Sequence, residues 1–115
     1  MNRVPRFRIL IVDDEKVQLE MLEGFLVKQG YEATSAEEGR KALEKFKHGS
    51  FDLVLTDYRM PGMDGIQLLR EVRGLQPEAV VVIMTAYGTV GTAVAAMKEG
   101  ATDYIMQVGG EIQIA

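Results

Sequence analysis

Three aspartates and one threonine carry most of the chemistry this sequence offers. Asp13 and Asp14 stand side by side directly after the apolar run FRILIV (7–12), Asp57 follows FDLVLT (51–56), and Thr85 follows AVVVIM (79–84). Carboxylates held close repel and raise one another's pKa values unless something positive sits among them. A divalent cation with all-oxygen ligands and several waters answers that need, and Mg²⁺ suits it. Zinc suits it poorly, because the chain has no Cys and its single His, His48, lies at a helix end. A Mg²⁺ beside a carboxylate favours phosphoryl chemistry, since the metal offsets the charge that builds on the transferring group. Asp57 is then the candidate nucleophile, and Thr85 can aim its hydroxyl at a phosphoryl oxygen. Each residue also has a plainer reading. Asp is common after strands as a turn former or helix cap, Asp14 can cap the helix starting near Glu15, and Thr85 can simply end a strand. Three such aspartates at once are much harder to explain in that way.

The elements that must position these residues are legible as an alternation of short apolar runs with amphipathic stretches. Phe7 to Val12 is nearly continuous in apolar and β-branched residues, as a strand buried on both faces should be. From Glu15 to Gln29 the residues Val17, Leu19, Met21, Leu22, Phe25 and Leu26 return largely at helical spacing, and Gly30 stops that helix. Tyr31 to Ala36 reads as a second strand, Glu38 to His48 as a charged helix with Ala42, Leu43 and Phe46 inward, and Phe51 to Thr56 as a third strand. Asp64 can cap the next helix, which carries Ile66, Leu68, Leu69 and Val72 before Gly74. Ala79 to Met84, Thr89 to Glu99 and Ala101 to Met106 complete a βαβαβαβαβ order with short connections. That order implies an α/β fold, a parallel sheet with helices on both faces. In such sheets ligands collect at the carboxyl ends of the strands, which is where Asp13, Asp14, Asp57 and Thr85 stand.

Composition narrows the classes further. At 115 residues the chain suits one domain with one core. Thirteen Lys and Arg against 17 Asp and Glu give a charge of −4, which argues against a dedicated nucleic-acid binder. Without Cys there is no disulfide framework and no cysteine nucleophile. No apolar run approaches the roughly 20 residues of a membrane helix, and Met1 to Arg8 lacks the apolar segment of a secretory signal. A cytoplasmic domain is expected.

The segments ILIVDDE (9–15), DLVLTDYRMPGMDGIQLL (52–69), VVIMTAYG (81–88) and GATDYI (100–105) resemble the receiver domain of two-component response regulators, each in its place in the β/α order. The loop MPGMDG and the triplet MTA look most like receivers of bacterial enhancer-binding transcriptional activators. The resemblance runs from Ile9 to about Met106 and leaves 107–115 as an atypical tail of a single receiver domain, 1–115. It implies a flavodoxin-like doubly wound five-stranded sheet in the order 2-1-3-4-5. It also implies that Asp57 accepts a phosphoryl group from a sensor histidine kinase, giving an aspartylphosphate. Asp13, Asp14 and Asp57, with the main-chain carbonyl of Arg59, would hold Mg²⁺. Thr85 would be the switch hydroxyl, and Tyr104 the aromatic that turns inward as Thr85 moves. On residue type alone Tyr104 is more often a half-buried sheet aromatic than a switch.

The sequence departs from that family at its end. The family carries a Lys-Pro pair in a pattern like DYxxKP, and here Gln107 stands at the Lys position and Val108 at the Pro position. The Lys is the fixed cation that meets the phosphoryl group. Gln donates only a neutral hydrogen bond, and the deficit is about 1.5–3 kcal/mol. Without proline a trans peptide is expected there. The residues after Gln107 are too few and too Gly-rich for the family's fifth helix, so that helix is expected to be absent or altered. Glu111 to Ala115 alternates polar and apolar, as a short strand or extended tail would. Losing the helix would bare part of one sheet face, so self-association, element swapping or cover by the tail is expected.

Three functions follow for comparison. One is a phosphoacceptor switch whose output lies in an effector domain or partner outside this chain, with no direct contact to nucleic acid or membrane. A second is a degenerate receiver serving as a binding or dimerisation module with impaired phosphorylation. A third is an Asp-nucleophile phosphatase of the haloacid-dehalogenase type. That type wants Asp-x-Asp after its first strand, which Asp13-Asp14 does not supply, so an enzyme acting on outside substrates is not expected.

Overall fold

The computed structural model describes residues 7–86, 88–108 and 111–114, the side chains of 107, 108 and 111–114 excepted. The most apolar runs of the chain become its central strands. β1 (Arg8–Val12) lies between β2 (Glu32–Ala36) and β3 (Leu53–Thr56), and β4 (Val81–Thr85) and β5 (Asp103–Val108) continue the sheet beyond β3. All four of these pairings are parallel, so the five strands have the expected order 2-1-3-4-5. The crossovers carry α1 (Lys16–Lys28), α2 (Gly39–His48), α3 (Gly65–Leu75) and α4 (Val90–Lys98).

Successive strand residues point to opposite faces, and an all-apolar strand can serve two layers at once. Leu10 and Val12 of β1 join Ala42 and Phe46 of α2, Leu69 and Val72 of α3 and Ala96 of α4 in the larger core. Ile9 and Ile11 face the other way and pack with Leu19 and Leu22 of α1, together with Leu55, Val82 and Met84. The sheet is therefore covered by three helices on one side and by α1 on the other. The six apolar residues that return at helical spacing in α1 divide. Leu19 and Leu22 are buried and Leu26 is half-buried, whereas Val17, Met21 and Phe25 are 73%, 59% and 53% exposed. Their spacing of four residues places them in one outward row, a stripe that helical periodicity alone cannot distinguish from a core stripe.

Local signals act where the residue types suggest. Asp64 caps α3 in a reciprocal box with Gln67, each side chain accepting the other's backbone N–H at 2.9 Å. Asp14 does not cap α1: the N-cap is Glu15, without a side-chain cap, and the Glu15 amide donates instead to Asp13 Oδ1 at 2.9 Å. Arg70 of α3 grips Glu99, just past α4, through two bonds of 2.6 and 3.0 Å.

The end of the chain brings an addition to the expected sheet. β6 (Glu111–Ile114) pairs antiparallel with β5, Gln107 opposite Ile112, so a sixth strand edges the sheet beside β5. The alternating pattern after Gly110 read as a strand or tail, and it forms the strand. No fifth helix and no cis peptide occurs among the described residues.

Leu69 is fully buried in the larger core, and Val17 is the most exposed residue of the α1 stripe. Leu69→Ala should cost about 2–5 kcal/mol in urea unfolding, through lost transfer energy and a cavity. Val17→Ala should stay within about 0.5 kcal/mol of the parent.

Candidate functional site

Strand register brings the aspartates together. Val12 pairs with Thr56, so the residues that follow, Asp13 and Asp57, emerge at the same level from neighbouring strands. The ladder continues one step into each loop: the Asp57 amide donates to the Val12 carbonyl at 2.8 Å and the Asp13 amide to the Ala36 carbonyl at 3.2 Å. Carboxylate oxygens of Asp13, Asp14 and Asp57 all lie within 4.8 Å of one another. Asp13 and Asp57 are buried and Asp14 is exposed. Thr56 pairs with Ile83 across β3 and β4, which carries Thr85 to the same sheet edge. Thr85 is buried there and hydrogen-bonds the Asp57 carboxylate. Asp13, Asp57 and Thr85 line one small cleft, with Glu15 and Gln18 from the start of α1 on its wall.

The loop after β3 aims backbone donors at Asp57. The Tyr58 amide donates to Asp57 Oδ1 at 2.7 Å, and the Arg59 amide also bonds this carboxylate. The Gly65 amide then donates to the Tyr58 carbonyl at 2.9 Å, folding the start of α3 back onto the loop. That contact leaves no room for a side chain. A Cβ on Gly65 would fall on the Asp57 carbonyl oxygen and within 3.1 Å of Tyr58 Cα, both of them backbone atoms. A glycine in first helical position was the available sequence signal for this approach; it was read only as part of the MPGMDG motif.

Burial dominates the electrostatics. Withdrawal from water raises the Asp13 carboxyl from 3.8 to about 6, against the Glu15 amide that lowers it and with repulsion from Asp57 and Asp14 adding to the rise. Asp57 is also raised by burial, opposed by its bonds to Thr85, Tyr58 and Arg59. Two buried carboxylates with raised pKa values, beside a third that stays in water, fit a hard divalent cation. Binding one would lower the pKa values again, because the metal takes the ionised form.

Tyr104 sits on β5 opposite Ile83, 2% exposed, with its ring directed into the larger core rather than half-buried at a sheet surface. Its hydroxyl meets Thr92 Oγ1 at 2.8 Å. Arg59 stands in the loop beside Asp14 and Tyr58. Gln107 belongs to β5 by its backbone, while its side chain lies outside the described residues, as do 109–110 and 115 of the expected tail. The register thus brings together Asp13, Asp14, Asp57 and Thr85, and Tyr104 packs below them.

The family profile described as "Response regulator receiver domain" matches residues 9–111, a few residues further than the motifs quoted above. The chain belongs to the response regulator receiver domain family. The transcriptional regulatory protein ZraR of Escherichia coli (strain K12) is 48% identical over 99 residues, covering 86% of this chain and 22% of that protein. The chain therefore spans about a fifth of the length of that relative. Chemotaxis protein CheY of Bacillus subtilis (strain 168) is 41% identical over 101 residues, covering 87% of this chain and 84% of that one. Among solved structures, the response regulator protein TrrA of Thermotoga maritima, in complex with Mg(2+)-BeF, superposes with a TM-score of 0.81. It is 36% identical, covering 90% of this receiver and 88% of that chain.

The raised carboxyls give this receiver a pH signature. A native carboxyl with a raised pKa binds a proton that the unfolded chain has lost, so stability falls as pH rises through that window. Chelator-treated protein should lose stability between pH 4 and 7, the window set by the Asp13 rise from 3.8 to about 6. Asp13→Asn should flatten the slope. Added Mg²⁺ should stabilise most above pH 6, where the carboxylates are ionised. Urea unfolding across pH, with and without Mg²⁺, checks all three.

Proposed function

We propose that this receiver domain takes a phosphoryl group on Asp57 from the phosphohistidine of a sensor kinase. Asp13, Asp14, Asp57 and the Arg59 carbonyl would hold Mg²⁺. The observation that carries the reading is the grouping of the three carboxylates within 4.8 Å around a buried Asp57 already bonded to Thr85. Mg²⁺, when bound, supplies positive charge that offsets what builds on the transferring group. This chain's residues do the rest. An Asp57 carboxylate oxygen forms the bond to phosphorus as the N–P bond breaks, and the imidazole leaves with the bonding pair. The Tyr58 and Arg59 amides fix the carboxylate in one orientation, so the attacking oxygen is positioned before the donor arrives. The Thr85 hydroxyl, released from the carboxylate, then has a phosphoryl oxygen to donate to. Tyr104 already lies inward and borders the same Gly88 gap as the Thr85 methyl, where a shift of Thr85 would reach it.

Phosphorylation adds about −1.5 to −2 charge at neutral pH, which several ligands must meet together. Gln107 brings no charge to that task. The domain is read as a signalling module whose only catalysis is its own phosphoryl transfer and dephosphorylation. Similarity to ZraR supports a part in transcription regulation, exerted through an effector domain or output protein. The domain itself has no membrane-crossing helix among its described residues, and a cytoplasmic site of action follows from the proposed kinase partner. The proposed surface for self-association is the sheet face served by α1 alone, where Leu53 and Ile105 are only half-buried.

Intact mass after incubation with Mg²⁺ and acetyl phosphate tests the central step. A single phosphoryl adduct, absent from Asp57→Asn, is expected. Folded protein that binds Mg²⁺ and gains no adduct would turn the reading to a degenerate receiver acting as a binding module, for which Gln107 at the Lys position is the specific observation. Sedimentation velocity should show concentration-dependent association, and a strict monomer binding no apolar dye contradicts the proposed surface.

A further inference from the structure

Tyr104 is held inward by two neighbours outside the acidic cluster. The first is Gly88, in the loop between β4 and α4. A Cβ there would fall on the Tyr104 hydroxyl, 3.0 Å from its Cζ and 3.1 Å from Thr85 Cγ2. The phenol therefore occupies the volume that any larger residue at 88 would claim. The second neighbour is Thr92, the third residue of α4. Its hydroxyl has one proton to give and two lone pairs to fill. Thr92 Oγ1 donates to the Thr89 carbonyl at 2.9 Å and accepts the Thr89 amide at 2.8 Å. The Tyr104 hydroxyl stands 2.8 Å from the same oxygen, in a hydrogen bond that either hydroxyl can donate, and the Thr89 hydroxyl approaches that oxygen at 3.4 Å. Thr89 is the N-cap of α4, and its own side chain accepts the Thr92 amide at 3.1 Å, closing a capping box. Tyr104 is thus hydrogen-bonded to the residue that closes the N-terminus of α4.

We propose that Gly88 and Thr92 are the positioning residues that set the inward pose of Tyr104. Gly88 vacates the space for the hydroxyl, and Thr92 ties that hydroxyl to the α4 cap, so ring pose and helix start change together. The same Gly88 gap borders the Thr85 methyl, so a movement of Thr85 reaches the ring and the loop at one point. Asp57 phosphorylation acting through this point rests on the function proposed above; the ring's dependence on Gly88 and Thr92 does not.

The test uses the 115-residue chain and its tyrosines. Nitration by tetranitromethane, mapped by peptide mass, reports phenol access at Tyr104 against the partly exposed Tyr31, and amide exchange reports the first turn of α4. Tyr104 in the parent should react about tenfold more slowly than Tyr31. Gly88→Ala and Thr92→Val should remove most of that protection and speed amide exchange at Thr92 and Ala93, whereas Thr92→Ser should restore both. Gly88→Ala should lower Tm less in a Tyr104→Phe background, where the hydroxyl that meets the new methyl is gone. Unchanged protection of Tyr104 in folded Gly88→Ala and Thr92→Val overturns the proposal. If Gly88→Ala does not fold, Thr92→Val decides alone. Acetyl phosphate labelling of the same samples is a separate readout: a missing Asp57 adduct counts against the phosphoacceptor reading and leaves the ring result standing.

Discussion

Holding like charges close, in a place from which water is largely withdrawn, is the constraint on which this domain turns. Asp13 and Asp57 leave adjacent buried strands at one level, and neither can move away without breaking the ladder bonds that extend β1 and β3 into their loops. Repulsion and desolvation both oppose the ionised pair, and the raised Asp13 and Asp57 carboxyls express that cost. The fold sustains it because the strands beneath are among the most buried parts of the molecule, Leu10, Val54, Val81 and Ile83 being essentially inaccessible. A sheet packed on both faces has little freedom to relax, so the cost is expressed in the raised carboxyls instead of being relieved by movement.

The loop after Asp57 meets the same constraint at finer scale. Two successive amides bond the carboxylate, and Gly65 brings α3 so near that the Asp57 carbonyl touches the space of a missing methyl. Asp57 is thereby fixed from its backbone as well as its side chain. Thr85 is the site residue with a second set of neighbours, because its methyl borders the gap at Gly88 that the Tyr104 hydroxyl fills. One threonine thus faces the charged cluster with its hydroxyl and a packed aromatic with its methyl. A change in its polar partner is felt as a change in apolar packing.

The strand runs, their alternation with helices and the carboxyl-end placement of Asp13, Asp14, Asp57 and Thr85 were legible in the residues, and the sheet order 2-1-3-4-5 followed from the family resemblance. Strands buried on both faces write themselves as unbroken apolar runs, and parallel connection leaves few topologies. Boundaries moved by a residue or two, as in β4, which runs Val81–Thr85 where Ala79 to Met84 was expected. The division of α1 was not legible, because Val17, Met21 and Phe25 repeat with the same period as a core stripe and only the lack of a facing element among the described residues leaves them exposed. The inward burial of Tyr104 and its tie to Thr92 were equally hidden. They depend on a contact between β5 and α4 that no local pattern encodes, and on a glycine whose importance lies in the atoms it lacks. The sixth strand was half legible: alternation after Gly110 announced a strand, and its partner β5 is known only from the fold.

Charge arithmetic then bears on what the site can hold. Asp13, Asp14 and Asp57, all ionised, bring three negative charges, and a divalent cation cancels two of them. Converting the Asp57 carboxylate to its phosphoryl form adds further negative charge, and the family resemblance places a Lys at the position Gln107 takes here. With Gln there, every state of the site is one unit more negative than in a Lys-bearing receiver. The increment weighs most on the phosphorylated state, which carries the largest charge of its own. The balance must then come from neutral donors, Thr85 and the Tyr58 and Arg59 amides, whose bonds are individually weaker than those from a cation. Neutral donors act only at contact distance, whereas a charge acts across several ångströms. A receiver built this way therefore depends more heavily on the geometry of Thr85, and hence on the Tyr104 and Gly88 packing that positions it.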